Sequence, residues 1–187
     1  MVNRAIFLDR DGVLIANRAD YVKSWDEVMI LPGAAAALRD FHQAGFLTVI
    51  VTNQSAAGRG ILPAGELVEL NQKIVDELTQ LGGWIDRSYI CPHSPTDHCD
   101  CRKPKPGMIF QAKRELSLDL SASFLVGDAV TDLQAAEAAG VQSILVWSGR
   151  GVEQRKKLTL HPHLSPWMFE NILLASRGIL QPTGDQP

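Results

Sequence analysis

The run "FLDRDGVL", residues 7–14, sets two carboxylates, Asp9 and Asp11, two positions apart behind a short apolar stretch. In an extended chain, side chains at i and i+2 share a face, so both acids enter one crevice. Turns and calcium loops also carry Asp-x-Asp-Gly. An EF-hand loop, however, needs glycine sixth and glutamate twelfth, whereas here Gly12 is fourth and Asp20 twelfth. The calcium loop is excluded. Two further runs carry similar chemistry. In "VIVTNQS" the Thr52 hydroxyl and Asn53 amide follow an apolar stretch, a pair that alone does no more than satisfy a turn. In "LVGDAVTD" Gly127 allows close backbone approach, and Asp128 and Asp132 lie four apart at a helix start, which alone reads first as capping.

Gathered at one rim these acids repel, each close pair by about 4 kcal/mol at 4 Å with an effective dielectric near 20. Cations must be supplied. Hard oxygen ligands with no imidazole or thiolate among them favour magnesium, which bridges carboxylates to a substrate phosphate. Lys103 is the fixed positive partner. A metal, a lysine, a hydroxyl and an amide around a carboxylate nucleophile make a site for phosphate.

A second cluster precedes that lysine. "CPHSPTDHCDCRK", residues 91–103, holds all three cysteines of the chain. Cys91, His93, Cys99 and Cys101 offer the three thiolates and one imidazole of a closed tetrahedral zinc site, although paired ligands usually stand further apart. His98 is a rival imidazole. Four protein ligands leave no open position for water, so the expected role is structural: zinc stiffens the proline-broken loop that presents Arg102 and Lys103.

The elements that position these groups follow a strand, helix, strand rhythm. Expected strands are 5–8, 46–51, 88–90, 124–126 and 143–146. Expected helices are 34–43, 64–81, 108–116 and 131–139, the last opened by a Thr131 and Gln134 capping box. This is an α/β fold, a three-layer doubly wound parallel sheet of Rossmann-like form, whose ligands bind outside the carboxyl ends of the strands. One domain covers 1–187, with a core over about 5–150 and the zinc loop at 91–101. Beyond Arg150 the pattern weakens: 166–176 reads as one more helix, and a tail over about 178–187 is expected to be mobile.

Composition sets the remaining bounds. A length of 187 residues suits one core without staples, and a net charge of -3 gives no nucleic-acid footprint. No apolar run reaches the roughly 18 residues of a membrane span, and no signal peptide opens the chain. An odd cysteine count argues against a disulfide framework and for a cytoplasmic protein. A monomer is expected.

The runs Asp9-x-Asp11-Gly12, Thr52-Asn53, Lys103 and Gly127-Asp128-x-x-x-Asp132, in order over about 5–146, resemble the four motifs of the haloacid dehalogenase superfamily of phosphohydrolases. The resemblance implies that Asp9 attacks phosphorus and that Asp11 protonates the leaving oxygen, then deprotonates water. It also implies magnesium on the Asp9 carboxylate, the Asp11 carbonyl and Asp128, with Asp132 orienting its waters or neighbours. Thr52 and Lys103 would hold the phosphoryl oxygens. The cysteine loop is similar to that of the D-glycero-D-manno-heptose-1,7-bisphosphate 7-phosphatases and of the histidinol-phosphate phosphatases, and "TNQSAAGRG" and "KPGM" favour the former. Carried over by position, Asn17, Arg18, Ala19, Asp20, Thr52, Asn53, Gln54, Ser55, Arg59, Arg102 and Lys103 would contact a small phosphorylated sugar, with no separate cap domain. Val13, Ile15 and Ala129 depart from that pattern, the last by lacking a basic side chain. A non-catalytic zinc-stabilised binding module is the alternative of another class; the acidic pair and the lysine stand against it.

Overall fold

The structure, a computed structural model, describes residues 2–181. Strands β1 (Ala5–Leu8), β2 (Leu47–Asn53), β3 (Arg87–Cys91), β4 (Phe124–Gly127), β5 (Gln142–Val146) and β6 (Trp167–Phe169) form one parallel sheet in the order β3-β2-β1-β4-β5-β6. Helices α1 (Ala34–Gln43), α2 (Ala64–Gln80), α3 (Gly107–Leu116), α4 (Val130–Ala139), α5 (Gly151–Lys157) and α6 (Ile172–Leu180) complete it. Because side chains alternate along a strand, β1 feeds both faces. Ile6 and Leu8 join Leu38, Phe41, Ile74 and Ile172 on one side. Ala5 and Phe7 join Met108, Ile109 and Ala136 on the other. A sheet buried on both faces needs the continuous apolar runs that β1, β2 and β4 supply.

β1 lies between β2 and β4, pairing Leu8 with Ile50 and with Val126. The chain leaves β1 toward β2 on one side and later returns to β4 on the other, so the strand order reverses there. A crevice opens at such a reversal, outside the carboxyl ends. Asp9 prolongs the ladder, its N–H donating to Val126 O at 3.0 Å. It therefore stands where the crevice begins.

Three expectations are corrected. The segment 166–176 is not one helix: it holds the edge strand β6, then the start of α6. Residues 151–157 form α5, which was not anticipated. The fourth helix opens at Val130, and the side chain that accepts at its start is Asp132, from Ala129 N at 3.0 Å, not the Thr131 and Gln134 pair. Of the tail expected from residue 178, 178–180 are helical and 182–187 lie outside the described residues. No helix among the described residues is long and apolar enough to cross a membrane.

Candidate active site

Each acid of the crevice is positioned by a strand end. Asp9 follows β1, Asp128 follows β4, and Asp132 is brought back by the first turn of α4. One carboxylate oxygen from each lies within 4.8 Å of the others, and all three side chains are buried. Hard, charged oxygens grouped this closely fit a divalent cation of the magnesium type. Gly12 is required by the same crowding. It adopts φ +85°, and a Cβ there would strike the Asp128 carboxylate.

Lys103 sits at the centre of the acids. Its Nζ is 3.0 Å from Asp9 Oδ1 and 2.6 Å from Asp132 Oδ1, and donates to Val51 O at 2.7 Å. Three N–H bonds meet three acceptors, so the ammonium organises the acids as well as balancing them. Burial opposes its charge, but Asp132 and Asp9 outweigh burial and hold its pKa well above the ordinary lysine value. Burial pushes the Asp132 carboxyl up to about 6 against the pull of Lys103. Asp128 is likewise raised, by burial first, while its hydrogen bonds with Arg150 oppose the shift.

The cysteine loop and the loop after β2 lock together. β3 ends in Cys91, in register with Asn53. The Asn53 side chain donates to Lys103 O and accepts from Lys103 N, both at 3.0 Å. Gln54 N donates to Cys91 O at 2.8 Å. The three sulfurs and His93 Nδ1 lie 3.2 to 3.6 Å apart along their close pairs. A tetrahedron with sulfurs about 2.3 Å from its centre has edges of roughly 3.7 Å, so the set fits zinc. Burial pushes the Cys91 thiol up to about 12, a shift that a cation bound at the centre would oppose. His98 is not part of the cluster, which leaves His93 as its imidazole.

A cleft of about 580 Å³ opens above the acids. Asn17, Arg18, Ala19, Asn53, Gln54, Ser55, Arg59, Arg102 and Lys103, positions that the resemblance marks for the substrate, line it. Asp20 does not line it and pairs instead with Lys23. Thr52 is buried behind the wall, its Oγ1 accepting from Gln54 Nε2 at 3.0 Å. Val13 and Ile15 are wholly buried in the core beneath.

Three participants escaped the sequence reading. Arg10 is fully buried, its Nε donating to Asp11 Oδ2 at 3.1 Å. Tyr21 lines the cleft with φ +69°, a backbone region unfavourable for a bulky residue. Arg150 follows β5, donates N to Asp128 Oδ2 at 2.7 Å and sets its guanidinium 3.1 Å from Oδ1. A cation thus reaches the cleft from a loop beyond the recognised motifs. Its signal was the "SGRG" run after a strand.

A family profile described as HAD-hydrolase-like matches residues 100–173. The chain is 39% identical over 181 residues to a D-glycero-beta-D-manno-heptose-1,7-bisphosphate 7-phosphatase of Neisseria meningitidis, covering 95% of each chain. With one of that name from Pseudomonas aeruginosa it shares 39% identity, covering 97% of this chain and all of the relative. The chain belongs to the haloacid dehalogenase superfamily of phosphohydrolases. A crystal structure of D,D-heptose 1,7-bisphosphate phosphatase from B. bronchiseptica, complexed with magnesium and phosphate, superposes on this member with a TM-score of 0.87. It is 37% identical, with 95% of this chain and 98% of the other covered.

Proposed function

We propose that this phosphohydrolase removes the 7-phosphate of D-glycero-D-manno-heptose 1,7-bisphosphate with magnesium, through an aspartyl phosphate. The observation that carries the reading is the buried Asp9, Asp128 and Asp132 group around Lys103 at the floor of one cleft. The relatives' names support the substrate.

Asp9 attacks phosphorus in line, forming an acyl phosphate as the bond to the sugar oxygen breaks. Asp11 gives its proton to that leaving oxygen, then takes one from the water that hydrolyses the acyl phosphate, regenerating Asp9 and releasing inorganic phosphate. Lys103, whose three N–H bonds now meet protein acceptors, would trade one of them for a phosphoryl oxygen, while Thr52 stands behind the cleft wall, bonded to Gln54. The Asp9 and Asp128 carboxylates and the Asp11 carbonyl would hold magnesium, with Asp132 one layer out. When bound, magnesium neutralises phosphoryl charge and acts as a Lewis acid. Cys91, His93, Cys99 and Cys101 would hold a structural zinc that fixes the loop bearing Arg102 and Lys103.

Charge around the cleft separates the two candidate substrates. Arg18, Arg59, Arg102 and Arg150 line it besides Lys103, more cation than one phosphate requires. A bisphosphate brings a second anion to those guanidinium groups, whereas histidinol phosphate brings an ammonium that they repel. The three cysteines, none in a disulfide, support a cytoplasmic setting.

A substrate panel decides the reading. Purified protein with magnesium should release phosphate from heptose 1,7-bisphosphate far faster than from histidinol phosphate, and Asp9→Asn should abolish turnover. The reverse ranking assigns the chain to the histidinol-phosphate enzymes, and inertness toward every phosphate ester revives the non-catalytic module.

A further inference from the structure

We infer that Gln54 is a positioning residue for the proton transfer at Asp11, not primarily a contact for the sugar; the inference rests on the function proposed above. Gln54 is buried to 4% exposure although it borders the cleft. Its Nε2 donates to Asp11 Oδ2 at 2.5 Å and to Thr52 Oγ1 at 3.0 Å. Both N–H bonds of the amide are thereby used on the protein, which leaves none for a ligand. The reverse amide orientation would set Oε1 against a carboxylate oxygen, so the assignment follows from the partners.

The two bonds do different things. Asp11 Oδ2 receives Gln54 from one side and the Arg10 Nε at 3.1 Å from the other, whereas Oδ1 receives only the Arg10 NH2 group at 3.3 Å. Pinned at Oδ2, the carboxyl is left with Oδ1 as the atom that exchanges a proton with the leaving oxygen. The bond to Thr52 Oγ1 fixes the plane of the amide, so that its other N–H stays aimed at Asp11. Gln54 N also donates to Cys91 O at 2.8 Å, so the same residue ties the zinc cluster to the proton-transfer group. Arg10 is the second clamp. Because it is wholly buried, removing it would disturb packing, and Gln54 is the cleaner residue to test.

Gln54→Met keeps the length and buried volume of the side chain and removes both donors. General acid catalysis matters for a poor leaving group and little for a good one. In kcat/KM, which reports transfer to Asp9, the variant should therefore lose about 10- to 100-fold on an alkyl sugar phosphate and no more than about threefold on an aryl phosphate such as p-nitrophenyl phosphate. The sugar phosphate loss should lie in kcat, with KM within about twofold, since both N–H bonds of the amide are spent on Asp11 and Thr52. In an Asp11→Asn background the same change should cost less than about twofold, because its effect passes through Asp11. Gln54→Ala carries the same comparison if the Met variant does not fold. Equal losses on both leaving groups, a loss confined to KM, or full additivity with Asp11→Asn overturns the inference while the phosphatase reading stands. A wild-type protein inert on both esters, or an Asp11→Asn variant of undiminished activity, removes that reading and this inference with it.

Discussion

At the residue scale the chemistry reduces to one lysine among acids. Lys103 holds Asp9 and Asp132 together at the cleft floor, where all three side chains are buried. Removing one partner of a buried ion pair strands the other charges and costs about 3–5 kcal/mol, more than the pair's own net stabilisation. Lys103→Met should therefore lower thermal stability by roughly 5–15 °C, besides abolishing turnover. Magnesium offers Asp9 a replacement cation, so it should raise the melting temperature of Lys103→Met more than that of the wild type. Differential scanning fluorimetry with and without magnesium reads this directly, and an equal shift in both proteins contradicts it. Lys103 was legible in the sequence because four weak motifs fell in order. Arg10 was not, although it stands between two recognised acids. Arginine at an intervening position points, by strand alternation, to the opposite face, and only the fold shows its head turning back onto Asp11.

At the element scale the five longer strands and first four helices were legible because their cores are apolar runs of fitting period, and β1 and α1 fall where expected. β6 was not. Three residues, Trp167–Phe169, cannot display a period, and their pairing with Val146 and its neighbours is decided by what β5 leaves exposed at the sheet edge. The cysteine loop is an element of another kind, whose proposed zinc would add ligand bonds to the packing of its cysteines against the core. Stripping the protein with a chelator and restoring magnesium alone should lower the melting temperature by roughly 5–10 °C. It should also reduce kcat/KM, since Arg102, which donates to His93 O, and Lys103 hang from that loop. Cys99→Ser should do the same and should retain less than one equivalent of zinc by elemental analysis. Helix α3 makes a separate pH-dependent tie to β3. Tyr89 OH donates to Glu115 Oε2 at 2.8 Å, and burial, then that carboxylate, pushes the phenol up to about 12. An unfolded tyrosine titrates near 10. The folded state therefore binds the proton more tightly, and this contribution is complete below about pH 10 and is lost as pH rises toward 12. Chemical denaturation across pH 9 to 11.5 should show a downward slope in stability that is shallower in Tyr89→Phe.

At the scale of the whole molecule, the segment after Arg150 is the least legible in the sequence and yet is built into the same core. α6 buries Ile172, Ala175 and Ile179 against the sheet face that also takes Leu38 and Phe41 of α1, and β6 closes the sheet beyond β5. The catalytic motifs end at Asp132, so a motif-based boundary would make 166–181 dispensable. Packing says otherwise. Burial of each isoleucine contributes roughly 1.5–3 kcal/mol, and their removal also uncovers the face of α1 that they shield. Against a typical total of about 5–15 kcal/mol, that loss leaves little or no net stability. A chain ending at Ser165 should consequently be recovered as insoluble or proteolysis-prone protein without phosphatase activity, although it keeps every proposed catalytic, magnesium and zinc ligand. Soluble expression, limited proteolysis and phosphate release measured side by side test this. A truncated protein that melts cooperatively and turns over at the full-length rate would show that the active site needs only the first five strands.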